Sequence, residues 1–185
     1  MVTTFPGLTV ETSSLTVEDS KKLFDGLFAA GGITLSQLCS ISGLEGYVIQ
    51  NWIKRRFLAP PRGRMYGREQ LAAVALINLL RDSLQIERIC GFVSFVRGVP
   101  NDRTDDLCGF EELYHGYVGL ILEGLPAVDD PEAVRNAARG AAERMGAKDA
   151  ATLRKLQGVF EVMLYAHAAS LYRRAAEEKL SHMDI

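Results

Sequence analysis

No stretch of the chain approaches the ~20 consecutive apolar residues needed to span a bilayer. The first residues, MVTTFPGLTVETSS, carry neither the basic lead nor the long apolar run of a secretory signal. Both absences point to a cytoplasmic protein with no membrane partner. Cysteine is scarce: Cys39, Cys90 and Cys108 are odd in number and form no CxxC pair. That excludes a disulfide framework and fits small apolar residues in a reducing compartment, with a redox-sensing thiol as the alternative. The three histidines, His115, His167 and His182, have no partner at metal-ligand spacing, and HExxH, GxSxG and P-loop motifs are missing. No enzyme, metal or cofactor is therefore expected. The carboxylate pairs Glu111-Glu112 and Glu177-Glu178 read as solvated helix faces.

The most telling absence is local. Between Glu45 and Glu69 there is no acidic residue, while Lys54, Arg55, Arg56, Arg62, Arg64 and Arg68 all fall there. The chain has formal charge −2, so this segment contributes +6 against −8 elsewhere. A basic patch on an otherwise acidic protein is the footprint of a surface that meets phosphate.

What is present suits one domain or two small ones, since 185 residues with 48% hydrophobic content can bury a core unaided. Residues 1–14 read as an arm or irregular lead-in. Thr16 with Asp19 three residues on opens a helix with Val17, Leu23, Phe24, Leu27 and Phe28 on one side. Gly31-Gly32 stops it. Thr34 and Gln37 form a capping box for a short second helix that ends at Gly43. A third helix runs from Tyr47 to about Arg55, so helix, glycine turn and helix follow the helix-turn-helix plan. On a helical wheel Ile49, Trp52 and Ile53 share one face, and Tyr47, Gln50, Asn51, Lys54 and Arg55 the other. Pro60-Pro61 ends the helical run, and Arg62-Gly63-Arg64-Met65-Tyr66-Gly67 is expected to form a basic loop or small two-stranded wing. A largely buried helix follows from about Arg68 to Leu84, and another from Ile86 to Gly98-Val99-Pro100.

The run ITLSQLCSISGLEGYVIQNWIKRRFLAPPRGRMYGREQLAAVALINLLRDSLQIERI resembles the winged helix-turn-helix of MerR-type transcription regulators. Ile49 falls on the apolar anchor of that family's recognition helix and Gln50 on the arginine after it. Trp52 falls on its second aromatic, Leu58 and Pro60 on its closing motif, and Arg64, Tyr66 and Leu71 on its wing signature. Asn51, Ile53 and Arg56 depart from the pattern, standing where the family has an aromatic, an acid and a glycine. Glu45 replaces the usual capping serine. The chain also resembles a bacterial family described as domain of unknown function 1836, whose first half is this MerR-like unit.

Beyond Pro100, the polar break Asp102–Asp106 precedes a helix to about Glu123. Asp130-Pro131 opens one to about Met145, and Lys148-Asp149 opens the last, to about Ser181. Leu153, Leu156, Phe160, Met163, His167 and Leu171 recur at spacings of three and four, which fits a bundle seam or a dimer coiled coil. Tyr114, Tyr117, Phe160, Tyr165 and Tyr172 read as core aromatics, with an effector pocket as the alternative.

The expected fold is all-α: an N-terminal arm and helix (1–33), a MerR-like winged helix-turn-helix (34–98) with a small β-wing, and a C-terminal helical bundle for dimerisation or effector binding (99–185). The expected function is transcription regulation on double-stranded DNA as a homodimer joined through the C-terminal helices, an effector being unspecified. Tyr47, Gln50 and Asn51 would approach base edges, and Lys54, Arg55, Arg62, Arg64 and Arg68 would hold phosphates. The alternative is a protein-interaction module whose basic face meets an acidic partner.

Overall fold

The computed structural model describes residues 3–98 and 107–183. The expectations for Val99-Pro100 and for the break at Asp102–Asp106 lie outside the described residues. About 65% of the described residues are helical. In order, a short hairpin of β1 (Thr3–Thr4) and β2 (Glu11–Thr12) leads to α1 (Val17–Phe28), α2 (Leu35–Ser42), α3 (Gly46–Lys54) and α4 (Arg68–Leu80). Then come α5 (Ile86–Arg97), α6 (Phe110–Leu122), α7 (Pro131–Arg144) and α8 (Ala150–Ser181). No helix of the described residues is long and apolar enough to cross a membrane.

Local chemistry sets half of the helix starts. Thr16 accepts from the Asp19 backbone N–H at 3.0 Å and donates to its carboxylate at 2.7 Å. Thr34 and Gln37 close the capping box on α2. Asp130 and Asp149 each accept from two backbone N–H groups, at α7 and α8. These groups would otherwise be unsatisfied at the helix end.

α4 is the centre of the molecule. Every residue from Gln70 to Ile77 is buried, and it packs against α2, α6 and α8. It ends at Leu80, four residues short of the expected Leu84, and Ser83 N–H closes a tighter turn on the Leu80 carbonyl at 3.1 Å. One apolar cluster runs from Phe5 through Ala166.

The N-terminal segment is not an irregular arm. Thr3–Thr4 pair antiparallel with Glu11–Thr12, and Phe5 and Leu8 enter the core. Gly7 lies so close to α4 that a Cβ there would stand 2.2 Å from the Ala75 carbonyl oxygen, and its φ of +71° is the left-handed region. Asn78 of α4 donates to the Gly7 and Ser42 carbonyls, tying hairpin, α2 and α4 together.

The seam on α8 is intramolecular. Leu156, Phe160 and Met163 are buried in a bundle where α8 packs on α7 and α4. From Leu171 onward α8 is exposed. Of the aromatics expected in the core, Tyr114, Tyr117 and Phe160 are there, whereas Tyr165 and Tyr172 are on the surface, 41% and 69% exposed.

Where α1 meets α6, His115 is buried against Phe24, its ring 5.0 Å away. Ser20 Oγ lies 2.7 Å from both the Val17 carbonyl and His115 Nδ1. Nε2 has no hydrogen-bond partner and stands 3.6 Å from Glu111. Burial lowers the His115 pKa and outweighs the opposing pull of Glu111, whose charge Arg68 already shares. Burial, then the Arg174 charge, likewise lowers His167. The unfolded chain takes up these protons near the ordinary value of 6.5 and the native chain only at lower pH. Stability is therefore complete above about pH 6.5 and falls as pH drops from there through the native values. Urea unfolding should give a midpoint that is flat above neutrality and declines below it, with a shallower decline in the His115→Gln variant.

Candidate nucleic-acid interface

α3 is anchored by Ile49 and Trp52, both in the core, and this turns its other face outward. Tyr47 is 72% exposed, and Gln50, Asn51, Lys54 and Arg55 are exposed with it. Three residues, Gly43 to Glu45, separate α2 from α3, and Gly43 makes the turn at φ +70°. Glu45 precedes α3 without a side-chain capping bond.

The end of α3 is a full Schellman arrangement. Phe57 N–H donates to the Trp52 carbonyl and Arg56 N–H to the Ile53 carbonyl, each at 2.9 Å. The left-handed residue this closure requires is Arg56, at φ +63°. Arginine there costs about 1 kcal/mol relative to glycine, through its Cβ. Arg56 is also exposed, and the expected site residues omitted it. Its signal in the sequence was an arginine at the position where the resembling family has glycine.

The basic loop is a tight turn, not a pair of strands. Arg62 and Met65 exchange both backbone hydrogen bonds, at 3.0 and 2.9 Å. Gly63 and Arg64 between them have φ of +55° and +68°, the sign that a type I′ turn needs at both centres. The two assigned strands of the described residues are in the N-terminal hairpin instead. Two contacts hold the turn. Tyr66, buried, exchanges backbone bonds with Ile33 at 3.0 and 2.8 Å. Gln70, buried, donates to the Ala59 and Pro60 carbonyls and accepts from Gly67 N–H. The chain from α3 to α4 is thus pinned at both ends while Arg62 and Arg64 stay exposed.

Arg68 does not join them. Its guanidinium lies 2.6 Å from Asp25 and 2.8 Å from Glu111, and it stacks over Phe24 and Phe28. Asp25, first, and Glu111 raise its pKa. With two carboxylates bound, Arg68 ties α1, α4 and α6 together and has no free charge to offer a phosphate. By contrast, Lys54, Arg55, Arg56, Arg62 and Arg64 meet no carboxylate within 4.0 Å among the described residues.

All three cysteines are half-buried, and Cys39 and Cys90 are free thiols. Burial raises the Cys39 and Cys90 pKa values, reinforced by Glu45 and Glu87 respectively, so neither is an activated thiolate. Among the described residues no group of three His, Cys, Asp or Glu side chains is placed to hold a metal.

The structure so far defines a mostly helical protein with a cationic helix end and turn pinned on a buried central helix. Residues 34–117, from the cap of α2 to Tyr117 in α6, match the family model described as "Domain of unknown function (DUF1836)". The chain is 25% identical over 103 residues to "Uncharacterized protein YkrK" of Bacillus subtilis (strain 168), an alignment covering 54% of this chain and 44% of that one. The chain thus spans less than half the length of that relative. No solved structure matches the chain.

Arg56→Gly should relieve the left-handed strain and raise unfolding stability by about 1 kcal/mol. It should at the same time weaken any polyanion binding, because a free cation is lost. Paired denaturant melts and heparin-column elution would check the two opposite signs.

Proposed function

We propose that the protein is a DNA-binding transcription regulator that holds duplex DNA on α3 and the basic turn. The observation that carries this reading is the set of five exposed cations without a carboxylate partner. Two of them, Arg56 and Arg64, are in left-handed backbone that glycine would adopt at lower cost. Strain kept at an exposed, charged position is explained by what the charge contacts. In the winged helix-turn-helix reading, α3 enters the major groove with Tyr47, Gln50 and Asn51 toward base edges. Lys54, Arg55, Arg56, Arg62 and Arg64 then hold phosphates.

Five phosphate contacts per protomer imply a log–log salt slope of about −4.5, at roughly −0.9 for each contact. Fluorescence titrations on genomic fragments at several salt concentrations would measure it. Arg62→Ala with Arg64→Ala should weaken binding to every sequence alike, while Gln50→Ala should relax preference at one base position. A slope near zero on all DNA would overturn the reading. It would favour the second one, an acidic protein partner, to which the exposed Tyr47 and Met65 beside these cations are also suited.

Pairing into a homodimer through α8 is part of the proposal. Val162, Tyr165, Ala169, Tyr172, Ala176 and Leu180 form an exposed stripe at spacings of three and four, separate from the buried seam of the same helix. That spacing suits a two-helix seam. Tyr172→Glu should shift the equilibrium toward monomer in sedimentation experiments while leaving the helical circular dichroism of the folded chain unchanged. A chain that is monomeric at all concentrations would exclude this arrangement.

A further inference from the structure

We propose that the cavity between the N-terminal hairpin, the end of α4 and α8 binds a small uncharged molecule through its amide edge. The cavity has a volume of about 410 Å³, within the range of small-molecule sites. Its apolar wall includes Leu8, Leu79, Ile121 and Leu171.

Two half-buried side chains supply the polar part. Asn78 spends both amide hydrogens on the Gly7 and Ser42 carbonyls, at 2.9 and 3.0 Å. Its Oδ1 has no hydrogen-bond partner among the described residues, and Asn78 lines the cavity. His167 is bonded through Nδ1 to the Tyr117 hydroxyl. Tyr117 is buried, and His167 is the one group bonded to its hydroxyl among the described residues. The arrangement that leaves no buried hydroxyl proton unbonded has Tyr117 donating to Nδ1. Nε2 then carries the hydrogen of the neutral ring. It too has no protein partner and is not sealed off, and His167 lines the same cavity.

The lining thus holds one unbonded acceptor and one unbonded donor. An amide edge matches both, its N–H donating to Asn78 Oδ1 and its C=O accepting from His167 Nε2–H. The charged residues of the lining neutralise each other. Arg174 lies 2.7 Å from Asp82, so no unpaired charge selects an ion. The site also touches Ser42, the last residue of α2, and α8, the helix to which the proposal above assigns pairing.

The test is nuclear magnetic resonance of the full chain with labelled histidine, following the His167 ring during titration with uracil and, separately, nicotinamide. Glucose and acetate serve as non-amide probes. A saturable His167 shift with either amide at millimolar or lower concentration supports the site. Response to uracil alone would name a nucleobase edge, and response to nicotinamide alone a primary carboxamide. His167→Gln and Leu171→Trp should each weaken that binding at least tenfold. Leu171 is 44% exposed, so the tryptophan can fill the cavity mouth without disturbing the core. No saturable shift with either amide, equal response to glucose or acetate, or unchanged affinity in both variants would overturn the proposal. The titration contains no DNA, so its outcome is independent of the DNA-binding reading.

Discussion

The structure depends on the burial of α4. A helix apolar on all sides is stable only when other elements cover its whole circumference. From Gln70 to Ile77 every residue is buried. The demand is met by α2 on one side, α6 and α8 on others, and the N-terminal hairpin where Gly7 touches Ala75. Gaps between so many elements are filled at the ends of α4 by polar side chains. Gln70 satisfies the loop after α3, and Asn78 satisfies the hairpin and the end of α2. A buried polar group left without such partners would be costly. The basic turn is fixed in space by the same packing that makes the core.

Electrostatics divides the patch into two kinds of arginine. Arg68 sits where α1, α4 and α6 converge, its charge taken up by Asp25 and Glu111. The cations from Lys54 to Arg64 sit on α3's end and on the turn, away from those carboxylates, and their charge stays available. A row of six basic residues in the sequence is therefore one structural cation and five surface ones. The five meet solvent in a chain whose remaining charge is negative, which concentrates attraction for polyanions on this face.

Helix starts were legible because their chemistry is local. Thr16, Thr34, Asp130 and Asp149 each bond within three residues, and all four cap a helix where the spacing places one. The wheel of α3 was legible for the same reason: Ile49 and Trp52 face in, and Tyr47, Gln50, Asn51 and Lys54 face out. What depended on distant partners was not legible. Phe5 and Leu8 look like part of an irregular lead-in until α4 provides a surface for them. Arg68 looks like a phosphate clamp until its partners, 43 residues away on either side, arrive. Tyr165 and Tyr172 have core spacing, yet the bundle closes on another face of α8.

The sequence alone determined the number and order of most helices, the face of α3 that points outward, and the excess of positive charge between Glu45 and Glu69. Periodicity, capping and charge are properties of neighbours along the chain. Tertiary structure decided which cations remain free, that the N-terminal segment is a packed hairpin, and that Asn78 and His167 share a cavity. Each of these results depends on a pairing across tens of residues. Such pairings exist only once α4 is enclosed, when a buried group must take whichever partner the fold brings within reach.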